Sequence, residues 1–229
     1  MICISGCPPR NRLAQFEPVA YRQACCPLFP DLMLTASQLC FERHFQPVFR
    51  PLDFELDRGE ILVITGDNGS GKTTLIRLLA GVLIPSQGQI SCNAENLTYV
   101  GHLLAIKDDL SVVENLRFMT QFGGSGETDF DSIVAKAGLQ RVSGQLARTL
   151  SAGQRKRCAL ARLLLCPASL WLLDEPYSNL DEHGIALVDQ LLGEHQERGG
   201  MTVLATHGLH RPAETGHLEI RLQPGTGAG

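Results

Sequence analysis

A glycine-rich stretch combines the residue types and spacing that most directly indicate chemistry: Gly66, Asp67, Asn68, Gly69, Ser70, Gly71, Lys72 and Thr73, with Thr74 following. Its pattern, G-x-x-x-x-G-K-T, predicts a loop that cradles the phosphates of a nucleotide. Glycine lacks a Cβ, so the backbone can adopt positive φ and point successive N–H groups into one concavity. Lys72 is expected to reach the β- and γ-phosphates, as a catalytic as well as a binding residue. Thr73 is expected to ligate Mg²⁺.

The segments around this loop predict a strand before it and a helix after it. Residues 60–65 are mostly apolar over the length of a strand, and an apolar helical segment begins near Lys72. The N-terminus of that helix adds N–H donors and the positive end of its dipole. Gly81 is suited to end the helix, with Pro85 beyond it. The glycine-rich pattern therefore has the strand–loop–helix context that phosphate binding requires.

Two further apolar strands also end in polar residues. One runs to Asp174 and Glu175, and the other, at residues 201–206, runs to His207. In a doubly wound parallel sheet, ligands bind outside the carboxyl ends of the strands, so the three strand ends should meet. Asp174 suits a Mg²⁺ ligand. Glu175 suits a general base for the attacking water, and His207 a hydrogen-bond partner of the γ-phosphate or that water.

A second candidate for anion binding follows Leu150. Ser151, Ala152, Gly153 and Gln154 form a capping-box pattern, S-x-x-Q, ahead of a helical segment. Backbone N–H groups at such a helix N-terminus can hold an anion. This end is well separated in sequence from the glycine-rich loop.

Composition and charge limit the classes of function. The 229 residues carry a net charge of −4 with a sequence pI near 6.0, which weighs against a sequence-independent nucleic-acid binder. No apolar run reaches the roughly 18 residues needed to span a bilayer. The eight cysteines show no C-x-x-C spacing and are expected to be free thiols.

The remaining patterns define the ends of the domain and its elements. Residues 1–32 lack periodicity, so we expect a disordered or mis-assigned extension before a natural start at Met33; a metal site of Cys3, Cys7, Cys25 and Cys26 is the alternative. Strands at 34–41 and 48–56, joined by a turn near Gln46-Pro47, and two more within 88–100 predict a small antiparallel sheet beside the parallel core. Residues 108–149 look helical, and the glycine-rich residues 223–229 predict a disordered tail.

The ordered set of motifs resembles the ATP-binding cassette (ABC) ATPases over roughly residues 34–222. Residues 150–154 are similar to the family signature L-S-G-G-Q, 178–181 to its D-loop with Asp181, and His207 to its switch histidine. The resemblance implies an α/β P-loop NTPase fold with a RecA-like parallel core sheet and a small antiparallel β subdomain. It also implies one ATP-binding domain over 33–222, with a short helical subdomain at about 103–165.

The same resemblance implies how the motifs would work together. Two copies of the chain would pair head to tail, with ATP and Mg²⁺ held between the glycine-rich loop of one copy and residues 151–154 of the other. Asp181 would join that nucleotide site. The segment near 101–118 would contact a membrane partner, and no nucleic-acid partner is expected.

Departures from the family pattern narrow the resemblance to its CcmA-type subunits, which serve haem export in cytochrome c biogenesis. His102, in Val-Gly-His, stands where the family usually has glutamine, and it is a candidate nucleotide-site residue. The adenine-stacking position falls at Arg43, with Phe41 and Phe45 nearby. The implied partners are CcmB-type and CcmC-type membrane subunits, and the implied location is peripheral, on the cytoplasmic face of a bacterial inner membrane. An ABC ATPase subunit for another substrate is the alternative. A soluble ABC protein acting on nucleic acid or the ribosome is a further rival, although such proteins usually carry two cassettes or a long coiled-coil insertion.

Overall fold

The computed structural model describes residues 33–121, 128–165, 168–207, 212 and 217–225. The expected extension at 1–32, the alternative cysteine metal site within it and residues 226–229 of the expected tail lie outside the described residues.

Within these ranges five strands precede the first helix, four helices follow one another in the middle of the chain, and strands and a long helix complete it. The strands are β1 (Met33–Cys40), β2 (Glu42–Arg43), β3 (Gln46–Pro47), β4 (Leu52–Asp57), β5 (Ile61–Thr65), β6 (Gln87–Cys92), β7 (Leu97–Val100), β8 (Leu170–Asp174), β9 (Met201–Ala205) and β10 (Leu218–Arg221). The α-helices are α1 (Lys72–Leu79), α2 (Val112–Thr120), α3 (Phe130–Lys136), α4 (Ala152–Leu160), α5 (Arg162–Leu165) and α6 (Glu182–Glu197). Two 3₁₀ turns lie at Gln140–Val142 and Ala147–Thr149.

The core is a parallel sheet with strand order β10-β5-β9-β8-β7. Its central strands are almost wholly apolar because both faces are covered. Alternate residues of β5 pack in two different clusters: Ile64 lies with α1 residues such as Ile76, and Val63 lies with α6 residues such as Leu191. The sheet order puts the carboxyl ends of β5, β9 and β8 side by side, which confirms the predicted fold class and the meeting of the three strand ends.

A second, antiparallel sheet has the order β4-β1-β6 and packs against the core. The predicted antiparallel sheet is present, but residues 97–100, which were expected in it, form the parallel strand β7 of the core sheet. The turn predicted near Gln46-Pro47 was also wrong. Gln46 and Pro47 form β3, which pairs with β2, and the chain turns at His44 and Phe45 with φ of 52° and 62°. Positive φ at both turn positions matches the twist of a two-residue hairpin. Neither residue is the glycine or asparagine that would have marked this turn in the sequence.

The C-terminal boundary placed at Gln223 falls inside a paired segment. The N–H of Arg50 donates to the Gln223 carbonyl at 3.2 Å, and the N–H of Gly225 donates to the Val48 carbonyl at 3.2 Å. Pro224 forms an isolated bridge with Phe49. Residues 223–225 therefore belong with the segment that precedes β4.

The helices α2 to α5 build an apolar cluster of their own, centred on residues such as Leu116 and Leu139. The loop before α2 is held by buried Asn115, whose side-chain amide donates to the carbonyls of Lys107, Leu110 and Ser111 and whose Oδ1 accepts from the Lys107 N–H. The predicted capping box of Ser111 with Glu114 is confirmed. The division into a domain over 33–222 and a helical subdomain at about 103–165 stays a prediction.

A buried aromatic stack joins β8 to the end of α6. The rings of Trp171 and His195 lie 3.8 Å apart at an angle of 3°, and His195 Nε2 lies 3.2 Å from the Met201 carbonyl. Burial lowers the pKa of His195 from 6.5 to about 4. The folded chain therefore keeps this imidazole neutral at pH values at which the unfolded chain protonates it.

We expect His195 to make the fold sensitive to acid. Its contribution to the free energy of unfolding is fully present above pH 6.5 and is lost as the pH falls from there toward 4, because the unfolded state then binds the extra proton. Between pH 7.5 and pH 5 this loss amounts to about 2 kcal/mol. His195→Phe keeps a ring against Trp171 and removes that part of the loss, as urea denaturation at the two pH values measures. The matched control, His183→Phe at an exposed position of α6, should keep the full loss. Equal pH dependence in the two variants would contradict the assignment.

Candidate active site

The glycine-rich loop connects the end of β5 to α1 in a tight cradle. Gly66, Gly69 and Gly71 have φ of 145°, 84° and 99°. A Cβ on Gly71 would lie 2.8 Å from Val48 Cγ1 and 2.9 Å from Phe49 Cδ1, so no larger residue fits without a shift. Gly71 is the N-cap of α1 and makes no side-chain capping bond. The first N–H groups of α1 therefore have no side-chain acceptor at the N-cap and are available to bind an anion.

Lys72 lies inside this cradle. Its residue is 7% exposed, and its ammonium donates to the carbonyls of Gly66 at 2.7 Å and Asp67 at 3.1 Å. An ammonium has three N–H donors, so these two bonds leave one for a phosphate oxygen. The charge is thus already positioned among the loop amides.

Thr73 and Asp174 bring α1 and β8 together. Thr73 Oγ1 donates to Asp174 Oδ1 at 3.2 Å. Asp174 is 1% exposed, and its Oδ2 is buried with no hydrogen-bond partner among the described residues. An ionised oxygen left in that state is costly unless a cation reaches it. A hydroxyl and a carboxylate are hard oxygen ligands, so the residues present fit Mg²⁺.

Glu175 and His207 meet beside this pair. The His207 N–H donates to Glu175 Oε2 at 3.4 Å, and His207 Nδ1 lies 3.6 Å from the same oxygen. Glu175 has a left-handed backbone, with φ of 53°, while its N–H donates to the Ala205 carbonyl. Such strain at a non-glycine residue costs about 1–3 kcal/mol and concentrates at functional sites.

A cleft of about 600 Å³ lies next to the loop. Gly66, Asp67 and Asn68 line one part of it, and Thr206 and His207 line another. The cleft also includes Glu219 and Arg221 of β10, which the sequence reasoning missed. No motif marks them; they reach the cleft because β10 pairs with β5 in a register that places Arg221 opposite Thr65.

The signature-like residues form the predicted capping box at the start of α4. The Ser151 N–H donates to Gln154 Oε1 at 2.9 Å, and the Gln154 N–H donates to Ser151 Oγ at 3.2 Å. These bonds occupy the N–H groups of Ser151 and Gln154. The N–H groups of Ala152 and Gly153 take no part in the capping box and remain candidates for anion binding. Across the described part of the chain, no hydrogen bond or ion pair joins residues 151–154 to the glycine-rich loop.

Two other predicted site residues, His102 and Asp181, make no hydrogen bond or ion pair with the loop among the described residues. His102 is exposed, and it makes no hydrogen bond or ion pair within the described ranges. Asp181 is the N-cap of α6, where its Oδ1 accepts from the Gly184 N–H at 2.8 Å, and this bond lowers the pKa of Asp181. The D-loop segment lies close to the signature segment. Gly153 is so near Asn179 that a Cβ added to it would lie 2.9 Å from the Asn179 carbonyl oxygen.

The hairpin between β2 and β3 carries the predicted adenine contacts. Arg43 is exposed on β2, and Phe45 at the tip is 97% exposed, whereas Phe41 packs partly against the core. An aromatic ring exposed at the tip of a two-residue turn is available for stacking.

Lys156 is a further charged residue near the site that the sequence reasoning missed. It is 3% exposed on α4. Burial lowers the pKa of Lys156, while the negative charges of Asp174 and Glu175 act to raise it. The sequence could have predicted this burial, because Lys156 precedes Ala159 and Leu160 by three and four residues and so lies on the apolar face of the helix.

Comparison with known proteins identifies the class. The profile of the ABC transporter family matches residues 49–178, which include the loop, the signature-like residues and the two carboxylates at the end of β8. The fold is similar to a solved structure of an ATP-binding subunit of an ABC transporter, at 25% identity and a TM-score of 0.68 over 76% of this chain and 79% of that one. It is also similar to a dimeric post-hydrolysis ATP-binding cassette bound to ADP and Pi, at 19% identity and a TM-score of 0.66 over 76% and 88% of the two chains. The chain is therefore an ATP-hydrolysing subunit of the ABC transporter class.

A closer relative gives the family. The cytochrome c biogenesis ATP-binding export protein CcmA of Xanthomonas axonopodis pv. citri is 47% identical over 202 residues, which cover 83% of this chain and 94% of that protein. The chain belongs to the CcmA family of ATP-binding export proteins.

Proposed function

We propose that this chain hydrolyses ATP to power haem export or delivery for the maturation of c-type cytochromes. The observation that carries the ATPase part is the buried pair of Thr73 and Asp174, with an unpartnered carboxylate oxygen, at the mouth of the phosphate cradle. The CcmA family name, which refers to cytochrome c biogenesis and export, supports the transport part. An ATPase subunit for another transported substrate is the alternative.

The residues around the cradle take distinct roles in this proposal. Loop residues 66–71, with Thr74, bind the phosphates through backbone and hydroxyl groups, and Lys72 adds a positive charge to them. Thr73 and Asp174 hold Mg²⁺, which neutralises charge on the phosphate oxygens when bound. Glu175 takes a proton from the attacking water, and His207 orients that water or the γ-phosphate. The distance of 3.6 Å between His207 Nδ1 and Glu175 Oε2 supports their joint action.

The complete site is proposed to need two copies of the chain. Ser151, Ala152, Gly153 and Gln154 make no bond to the glycine-rich loop within the described ranges, yet the amides of Ala152 and Gly153 remain outside the capping box. A head-to-tail dimer would bring these amides, together with Asp181, to the nucleotide of the second copy. The dimeric cassette with ADP and Pi, which shares this fold, supports such an arrangement.

Adenine is proposed to stack at the β2–β3 hairpin. Arg43 offers a guanidinium plane, and Phe45 offers an exposed ring. The hairpin is close to the cradle, since Gly71 lies against Val48 and Phe49 just beyond β3.

The membrane partners are proposed to be CcmB-type and CcmC-type subunits, which would hold this chain at the cytoplasmic face of a bacterial inner membrane. No helix among the described residues has the length and apolarity to cross a membrane. The segment near 101–118 is the proposed docking site, with His102 exposed and Leu103 81% exposed.

Co-purification with the membrane subunits tests the proposal. We expect the chain to be retained by CcmB-type and CcmC-type subunits in detergent and haem to raise the ATPase rate of that complex. ATPase activity that another small molecule stimulates and haem does not would favour the alternative substrate. Stimulation of the isolated chain by RNA would instead favour the ribosome- or nucleic-acid-acting rival.

A further inference from the structure

The turn between β8 and α6 begins at the proposed general base. Glu175 has φ of 53° and Asn179 has φ of 61°, so two non-glycine residues of this turn have a left-handed backbone. Such conformations persist only where the surrounding structure holds them. The contacts that hold this turn therefore determine where Glu175 lies.

Hydrogen bonds on both sides of Glu175 fix its backbone. On one side, its N–H donates to the Ala205 carbonyl at 2.9 Å. On the other side, its carbonyl accepts from the Ser178 N–H at 3.2 Å and from Ser178 Oγ at 2.9 Å. The Leu180 N–H then donates to the Tyr177 carbonyl at 3.4 Å. The first of these bonds ties Glu175 to β9, and the others tie it to the rest of the turn.

Tyr177 connects the turn to the middle of α6. Its hydroxyl donates to Asp189 Oδ1 at 2.7 Å. Tyr177 is 7% exposed, and it belongs to one apolar cluster with Val188 and Leu191 of α6. Burial, together with the hydrogen bond to Asp189, raises the pKa of Tyr177, so the hydroxyl keeps its proton and remains the donor. A hydrogen bond to a carboxylate is stronger than one between neutral groups, so this contact is a firm anchor for the turn.

We propose that Tyr177 is a positioning residue for ATP hydrolysis, whose hydrogen bond to Asp189 anchors the turn and thereby holds Glu175 beside His207. The inference rests on the proposed role of Glu175 as the general base. The anchored turn keeps the carbonyl side of Glu175 in place, while β9 keeps its N–H side in place. Glu175 Oε2 then stays 3.6 Å from His207 Nδ1.

Tyr177→Phe tests this directly, because phenylalanine keeps the ring in the apolar cluster and removes only the hydroxyl. We expect kcat for ATP hydrolysis to fall by about 10-fold, since a misplacement of 1 Å can cost about 100-fold. ATP affinity measured by calorimetry should stay close to that of the wild type, because Lys72 and the Thr73–Asp174 pair are unchanged. A residue that only stabilised the fold would not separate kcat from affinity in this way.

Variants of the acceptor test whether the hydrogen bond is the cause. Asp189→Asn keeps an acceptor oxygen and should retain most of the wild-type kcat, whereas Asp189→Ala should lower kcat as Tyr177→Phe does. Combining Tyr177→Phe with Asp189→Ala should lower kcat no further, because both changes remove the same bond. The matched control, Tyr99→Phe, removes a hydroxyl that makes no hydrogen bond within the described ranges, and it should leave kcat unchanged.

Three results would overturn the inference. The first is a Tyr177→Phe variant with the wild-type kcat, and the second is a fall in kcat with an equal loss of ATP affinity. The third is an Asp189→Asn variant no more active than Asp189→Ala. If Asp189→Ala does not fold, Asp189→Asn is compared with Tyr177→Phe instead, and equal activity of those two variants overturns the inference.

The outcome is separable from that of the proposed function. If Glu175→Gln abolishes hydrolysis and Tyr177→Phe does not lower it, only the role of Tyr177 fails. If Glu175→Gln itself hydrolyses ATP normally, the assignment of the general base fails.

Discussion

Glu175→Gln is expected to reduce the rate of ATP hydrolysis by about 10²–10⁴-fold, the usual contribution of a general base. The amide has the same size as the carboxylate, and its oxygen can still accept the His207 N–H, but it cannot take a proton from water. The left-handed backbone at this position is equally strained for either side chain, so the fold should be unaffected. Phosphate release over time measures the rate.

Nucleotide binding should survive that substitution. The cradle, Lys72 and the Thr73–Asp174 pair are unchanged, so ATP affinity by calorimetry should stay close to that of the wild type. Because ATP then persists, the dimer should accumulate with ATP in sedimentation experiments. Glu197→Gln, at the exposed end of α6, is the matched control and should hydrolyse ATP normally. Normal turnover by the Glu175→Gln variant would refute Glu175 as the base.

Lys72→Ala is expected to weaken nucleotide binding itself, by about 10- to 100-fold, as for the loss of a charged hydrogen bond. The substitution removes the cation from the loop and also leaves the Gly66 and Asp67 carbonyls without the donor they now have. Both effects loosen the cradle. Calorimetric titration with ATP and Mg²⁺ measures the affinity.

The control for that experiment is Arg141→Ala, which removes a positive charge at an exposed position far along the sequence. It should bind ATP as the wild type does. If Lys72→Ala binds ATP with unchanged affinity, the glycine-rich loop is not the phosphate site. The Lys72→Ala and Glu175→Gln variants therefore separate binding from hydrolysis: the first loses affinity, and the second loses only turnover.

Much of the fold followed from local patterns because those patterns have local physical causes. The apolar runs ending at Thr65, Asp174 and Ala205 had to be buried parallel strands, and glycine in the loop had to supply positive φ. Capping boxes at Ser111 and Ser151 are made within four residues, so the sequence alone locates them. The hairpin at His44 and Phe45 was missed because its residues carry no turn preference, and tertiary packing imposes the positive φ.

The sequence by itself determined the chemistry of this protein: a phosphate cradle with Lys72 and Thr73, followed by an acidic pair and a histidine at two strand ends. The sequence also predicted that these strand ends meet, and only the tertiary structure decided which side chains there contact one another. It put Asp174 against Thr73, turned Glu175 toward His207, brought Glu219 and Arg221 to the cleft and buried Lys156 on α4. The physical reason is that a motif depends on interactions between residues close in sequence, so the sequence alone reveals it. Strand order and helix packing, which depend on the whole core, set the contacts between distant segments.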